Sequence, residues 1–262
     1  MFKSQIISNF NGQVSSGSIT TPGFPFSMLQ GIGLIETMLC QNGTIRFIEA
    51  HHKRLIKGLK TLGLNHSLWT LTFLEAELHK TISGLTTDSL RLRLQTGPDE
   101  NGKLWWLIQA KPVLLSQDPI QLIFAERALC YTQPFSFLKS ADRQCYFLAS
   151  QEAKTKGKPD ALLLNQYGRV VESTMANLFW VKEGQLYTPP LSEGCVEGIF
   201  RQQLITRKEV TEASLSPNEL LQADEVFLSN AVRGIIAVEK IEKRQFSTSQ
   251  ISRLQQETQG WH

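Results

Sequence analysis

Val170-Val171-Glu172-Ser173-Thr174-Met175-Ala176-Asn177-Leu178-Phe179-Trp180 sets a single carboxylate and a few small polar residues between two apolar runs. The stretch reads as the end of an apolar strand, a bend of small polar residues and a second apolar strand. A carboxylate at the end of such a strand has two readings. It is buried, and then paired or functional, or it sits on a surface bend and points to water. The residues alone leave both open.

The flanking segments read as follows. Gly194-Cys195-Val196-Glu197-Gly198-Ile199-Phe200-Arg201 has two glycines around a turn that opens an amphipathic helix. A helix start presents unpaired N–H groups and a positive dipole end, so it suits an anion; a plain loop using glycine for positive φ reads equally from these letters. Upstream, Lys139 lies in Phe137-Leu138-Lys139-Ser140-Ala141-Asp142-Arg143, ahead of a helix expected near Ala141–Lys156. Such a lysine is a nucleophile if desolvation lowers its pKa, and an ordinary exposed cation otherwise. Strands are expected at Ile120–Ala125, Ala161–Leu164, Arg169–Val171, Ala176–Val181, Gln185–Thr188, Glu225–Ser229 and Ile235–Ile241. Ser216-Pro217-Asn218-Glu219 has capping-box spacing with proline at the first helical position, and a polar helix begins near Ser247.

The first half alternates in the same manner. Apolar stretches at Phe2–Ser8 and Ile32–Cys40 read as strands, and Asn42-Gly43 turns the second into a short strand, Thr44–Ile48. Leu55, Leu59 and Leu62 recur at helical spacing up to Gly63; Leu71, Leu74, Leu78 and Ile82 do so again, with Ser67 the expected N-cap and Gly84 the stop. Leu90–Thr96 and Leu104–Ala110 form a second hairpin. The expectation is two α+β units, residues 1–112 and 120–262, joined by a linker over 113–119.

Composition excludes several classes. The 262 residues are 41% hydrophobic and 19% charged, which suits a folded core and rules out disorder, collagen and coiled coil. Lys+Arg 27 against Asp+Glu 24 leaves +3, too little to argue for nucleic acid or an anionic membrane surface. No apolar run approaches the ~20 residues of a membrane helix, and Met1-Phe2-Lys3-Ser4-Gln5 lacks a signal-peptide pattern. A cytoplasmic protein of enzyme size is the expectation. Cys40, Cys130, Cys145 and Cys195 are scattered without a C-x-x-C pair and read as reduced thiols. The adjacent His51 and His52 cannot share a helix face, and no metal site is expected. Gly97-Pro98-Asp99-Glu100-Asn101-Gly102-Lys103-Leu104 is one residue short of a phosphate-binding loop, with leucine where the magnesium-binding hydroxyl belongs; it reads as a solvated hairpin tip.

Taken together and in order, four blocks resemble the class IV aminotransferase family, the fold-type IV pyridoxal-phosphate (PLP) enzymes. Gly33-Leu34-Ile35-Glu36-Thr37 is similar to its G-x-F-E-T, and His51-His52-Lys53-Arg54-Leu55 to its H-x-x-R-L. Lys139 precedes the helix segment Gln151-Glu152-Ala153-Lys154 at the usual spacing, and Val171–Phe179 with Gly198-Ile199-Phe200-Arg201 is the most specific block. The resemblance covers Gly31 to about Ile241. It implies a two-lobed α+β fold of the D-amino acid aminotransferase type, PLP as cofactor and a homodimer.

By that resemblance Lys139 would hold PLP covalently and shuttle the proton, and Glu172 would hydrogen-bond the pyridine nitrogen. Arg54, with the N–H groups of Ile199, Phe200 and the Asn230-Ala231 segment, would bind the phosphate. Many transaminases of the family carry tyrosine just after the lysine; here the segment is Lys139-Ser140-Ala141-Asp142-Arg143, similar to the lyase pattern K-x-x-N-R, and Asn230-Ala231-Val232-Arg233-Gly234 resembles the lyase-type turn. The resemblance therefore favours a carbon–oxygen lyase converting 4-amino-4-deoxychorismate to 4-aminobenzoate and pyruvate, a step of folate biosynthesis. The alternative is an aminotransferase acting on branched-chain or D-amino acids. Thr37 would protonate the departing enolpyruvate, and Arg91, Arg93 or Arg233 would hold substrate carboxylates. Departures from the family pattern are the missing Asp before Gly33, Asp142 in place of Asn, and Phe200 in place of Thr or Met.

Overall fold

The computed structural model describes residues 6–16 and 25–261, so the part of the expected first strand that falls on residues 2–5 lies outside it. The chain forms two units. The first comprises the described residues up to Leu115 together with Lys139–Asp142, and the second comprises Ser116–Leu138 and Arg143–Trp261.

In the first unit the elements are β1 (Ile7–Phe10), β2 (Gln13–Ser16), α1 (Phe26–Leu29), β3 (Leu34–Gln41), β4 (Thr44–Ile45), α2 (Ile48–Thr61), α3 (Leu71–Ile82), β5 (Ser89–Pro98) and β6 (Leu104–Pro112). The strands form one antiparallel sheet in the order β2-β1-β6-β5-β3-β4. Strand β5 shows why this sheet has two unlike faces: Leu90, Leu92 and Leu94 are buried, whereas Arg91 is exposed and Arg93 and Gln95 are half-buried. The leucine side receives the helices, α2 over β3 and α3 over β6 and β1. Leu55, Leu59, Leu74 and Leu78 are fully buried, each contributing about 1.5–3 kcal/mol. Asn9 anchors β1 to α3 through Nδ2, which donates to Glu77 Oε2 at 2.9 Å and Thr81 Oγ1 at 3.1 Å.

Three local expectations are corrected. The cap of α3 is Thr70, whose hydroxyl accepts the Phe73 N–H at 3.1 Å, in place of Ser67. The strand expected over Thr44–Ile48 stops at Ile45, because Phe47 turns into the left-handed region and α2 starts at Ile48. Residues 139–142 pack with the first unit, although the sequence put them in the C-terminal one. They lie beside the end of β3 that the two-residue β4 does not reach, where Ile35 N–H donates to the Lys139 carbonyl at 2.8 Å and Ala141 N–H to the Gly33 carbonyl at 2.9 Å. The Gly97–Leu104 segment is the expected hairpin tip, with Asp99 Oδ1 accepting the N–H groups of Asn101 and Lys103.

The second unit contains β7 (Ile120–Cys130), α4 (Gln144–Thr155), β8 (Asp160–Asn165), β9 (Val170–Ser173), β10 (Asn177–Lys182), β11 (Gln185–Thr188), α5 (Ile199–Arg207), β12 (Val210–Glu212), α6 (Pro217–Leu220), β13 (Glu225–Asn230), β14 (Gly234–Ile241), β15 (Arg244–Gln245) and α7 (Ser249–Thr258). Sheet order is β12-β11-β10-β13-β14-β7-β8-β9, and β9 pairs back to β10 through Asn177 and Glu172. The strands from β10 round to β9 thus close into a ring. Both ring surfaces are covered, which is why these strands read as continuous apolar runs. Leu122, Leu162, Leu178, Val226, Leu228 and Val238 fill one core. Ile123, Ala125, Ala161 and Leu163 form the other with Ala149 and Ala153 of α4.

Of the expected helix starts in this unit, that of α6 stands as read, whereas α4 begins at Gln144 rather than near Ala141. Ser216 and Glu219 make the capping box that starts α6. The buried carboxylate of Glu225 serves α7 from a distance, accepting the N–H groups of Gln250 at 3.0 Å and Ile251 at 2.9 Å, so a charge from another strand satisfies donors orphaned at a helix start. All four cysteines are free thiols. Among the described residues no helix is long and apolar enough to cross a membrane.

Candidate active site

Glu172 is buried, which selects the first of the two readings left open by the sequence. The β8–β9 register explains its direction. Leu163 faces Glu172 and Leu164 faces Val170, so Val171 is an extra residue and β9 bulges there. A bulge turns the next side chain to the face its neighbour already occupies. Val171 and Glu172 therefore both serve the α4 side of the sheet.

There Glu172 meets three donors. Tyr146 of α4 gives its hydroxyl to Oε1 at 2.7 Å, and the Val196 N–H reaches the same oxygen at 3.3 Å. Asn177 Nδ2 donates to Oε2 at 3.0 Å and to the Val196 carbonyl at 2.8 Å. Burial, and then the adjacent Glu172 charge, push the Tyr146 phenol well above its ordinary pKa, so it donates as a neutral hydroxyl. Arg143 lies over the Tyr146 ring, 3.3 Å from its centroid, and donates through Nη2 to the Thr174 carbonyl at 3.0 Å.

The same contacts position the start of α5. Its N-cap is Gly198, and no side chain caps the helix among the described residues. A Cβ at Gly198 would run into Asn177 Oδ1, so only glycine lets the helix start approach the residue that also holds Glu172. Ile199 and Phe200 supply the first N–H groups of the helix. Asn230 lies next to this segment: Ser229 pairs with Asn177, and Asn230 Nδ2 reaches the Met175 carbonyl at 3.4 Å. Asn230 Oδ1 accepts the N–H groups of Val232 and Arg233, at 3.0 and 2.8 Å, fixing the turn that carries Ala231. Within the second unit, therefore, Glu172, Ile199, Phe200, Asn230 and Ala231 come together as one constellation. Arg233 is tied elsewhere: its Nη2 donates to the Ser116 carbonyl at 2.9 Å.

The remaining candidates belong to the first unit. Arg54 pairs with Glu36 through two bonds, Nε to Oε1 at 2.8 Å and Nη2 to Oε2 at 2.6 Å. His51 Nδ1 meets Oε2 at 2.6 Å. Burial pushes the Glu36 pKa up, but the Arg54 charge and the bonds from His51 and Arg54 outweigh it and hold the carboxyl at about 2. Burial lowers the pKa of His51; the bond to Glu36 and its charge work against this, the positive charges of Arg54 and Lys139 with it, and the net shift is downward, which favours the neutral imidazole. Lys139 belongs to the same unit. Thr37, Arg93, Gln109 and Ser8 are direct cross-strand partners in one row over β3, β5, β6 and β1, on the face away from the helices, with Arg91 on the same face.

Sequence reasoning assigned no role to Tyr146, Asn177, Glu36 or His51. Asn177, Glu36 and His51 stand inside the quoted motifs and could have been found there, because polar groups in apolar runs need partners. Tyr146 carries no signal, since only folding brings α4 to the bulge.

A family model described as amino-transferase class IV matches residues 33–241. The chain is 28% identical over 247 residues to a putative branched-chain-amino-acid aminotransferase of Methanocaldococcus jannaschii, covering 88% of this chain and 86% of the relative. It is 26% identical over 232 residues to the aminodeoxychorismate lyase of Vibrio harveyi, covering 82% and 85%. Among solved structures, a putative 4-amino-4-deoxychorismate lyase from Legionella pneumophila is similar with a TM-score of 0.80 at 27% identity, covering 90% of this chain and 94% of that one. An aminotransferase from Brucella abortus bound to PLP reaches 0.84 at 18% identity over 97% of both chains, a likeness of fold. The two-lobed α+β architecture expected from the motifs is the one these proteins share, and the chain belongs to the class IV aminotransferase family.

Proposed function

We propose that this PLP-dependent enzyme is a lyase that converts 4-amino-4-deoxychorismate to 4-aminobenzoate and pyruvate. The residues of the second unit fit the cofactor: a buried carboxylate steadied by three donors suits a cationic ring nitrogen, and a helix start that tolerates no Cβ suits a phosphate. Bound PLP supplies an electron sink for the charge left when a proton is removed.

The chain's own groups do the rest. The Lys139 amine would hold the cofactor and would take the proton from the substrate carbon bearing the amine. Glu172 would partner the ring nitrogen and favour a proton there. Ile199, Phe200 and the Asn230-Ala231 turn would bind the phosphate through N–H groups. Thr37 Oγ1 delivers a proton to the departing enolpyruvate, and aromatisation of the ring drives the departure.

The observation that carries the lyase reading is the row of Thr37, Arg93 and Gln109 with Arg91 beside it. A substrate with two carboxylates is matched by two guanidinium groups, whereas a branched-chain side chain needs an apolar wall. The second reading, a branched-chain or D-amino acid aminotransferase, is favoured by the extent of the match to the Methanocaldococcus protein. Pyruvate release from 4-amino-4-deoxychorismate without a keto-acid acceptor, lost in Lys139→Ala, supports the lyase. Turnover that requires 2-oxoglutarate supports the aminotransferase.

We further assign the enzyme to the cytoplasm, which its free thiols suit, and to a homodimer. Phe147 and Leu148, exposed on α4, supply apolar surface for a second copy. Sedimentation of the holoenzyme at twice the chain mass is the expected result.

A further inference from the structure

We propose that Tyr146 is a positioning residue for Glu172, its hydroxyl keeping the carboxylate aimed and weakly basic so that the shared proton stays on the cofactor's ring nitrogen. The inference rests on the reading that Glu172 partners that nitrogen.

The geometry supports a directed role rather than incidental packing. Of the two bonds to Oε1, the one from Tyr146 is the shorter, 2.7 Å against 3.3 Å from the Val196 N–H. The phenol cannot swing away, because Arg143 lies over its ring at 3.3 Å and is itself tied to the Thr174 carbonyl. Asn177 fixes the other oxygen and is held by the Val196 carbonyl. The carboxylate is thus gripped at both oxygens by the chain itself. The two grips differ chemically: a phenol is a far stronger acid than an amide, so it withdraws more charge from the oxygen it serves. A proton between a pyridine nitrogen and a carboxylate resides on whichever is more basic. A donor that weakens the carboxylate leaves the proton on the ring, where it is needed for the ring to accept electrons.

The test is the nitrogen-15 resonance of ring-labelled PLP bound to wild type, Tyr146→Phe and Glu172→Gln, with the cofactor dissociation constant measured on the same proteins. Phenylalanine fills the same volume, and the melting curve of each protein reports whether it folds. The resonance of Tyr146→Phe is expected to move from the wild-type position toward that of an unprotonated pyridine, with the cofactor bound less tightly as the carboxylate loses its aim. Replacing Tyr146 by 3-fluorotyrosine, a stronger donor of the same shape, is expected to move the resonance the opposite way, which a packing role cannot do. A Tyr146→Phe resonance identical to wild type, while Glu172→Gln differs, overturns the role of Tyr146 and leaves that of Glu172 standing. Identical resonances in wild type and Glu172→Gln overturn both.

Discussion

Glu36 and Arg54 are joined by two parallel hydrogen bonds inside the first unit, and His51 shares one of the same oxygens. A bidentate pair holds the guanidinium in one plane, so Arg54 is presented in a fixed orientation rather than found by a flexible side chain. Strand β3 supplies the acid and α2 both partners, at positions three apart on one helix face.

This cluster predicts acid lability. The neutral His51 and the ionised Glu36 both have folded pKa values below their unfolded ones. In each case the unfolded chain binds more protons as the pH falls, so stability is lost on acidification. The loss is expected to begin below about pH 6.5 through His51. It continues from about pH 4.5 toward pH 2 through Glu36, where that group alone contributes about 3 kcal/mol. Urea unfolding of wild type and Glu36→Gln from pH 7 down to about pH 2.5 checks this. At pH 7 the variant should be less stable by about 3–5 kcal/mol, the cost of leaving a buried cation without its partner.

Gly198→Ala is expected to weaken cofactor binding by more than its effect on folding suggests. The backbone at Gly198 has φ −69°, so alanine is not strained there. The new methyl meets Asn177 Oδ1, and Asn177 is pinned by Glu172 and the Val196 carbonyl. Relief requires Asn177 to move and release Glu172. Overpacking should cost about 1–3 kcal/mol of stability, while the dissociation constant of PLP rises at least about 10-fold, as for one lost charge-assisted bond. Unchanged affinity in a destabilised protein would count against the linkage.

Gly33→Ala should harm the segment that carries Lys139. Gly33 has φ +141°, and an added Cβ would strike the Thr96 carbonyl of β5. Its own carbonyl accepts the Ala141 N–H. The expected cost is about 2–3 kcal/mol from strain and displacement together, with faster amide exchange at Ala141 and Ile35 than elsewhere in the sheet.

Arg93→Gln should raise the KM for 4-amino-4-deoxychorismate by about 10- to 100-fold, the range for a lost charge-assisted contact, with a smaller change in kcat. Arg233→Gln is the contrast: Arg233 holds the Ser116 carbonyl, so its loss should lower the melting temperature and leave KM within about 3-fold of wild type.

Much of this protein was legible from its letters. The leucine spacing of α2 and α3, the alternation of β5 and the capping box of α6 are local, because helix and strand periodicities and cap chemistry act over a few residues. The two strands on either side of the bend at residues 173–176 were legible for the same reason, as short apolar strings around small polar residues. Three things were decided only by folding. The bulge at Val171 sets which face Glu172 serves, and it arises from pairing with β8 rather than from any preference of valine or glutamate. Tyr146 becomes the partner of Glu172 because α4 packs over that face. Residues 139–142 join the first unit because β3 has an uncovered edge there. Each depends on contacts between segments distant in the chain, whose energies no local pattern records.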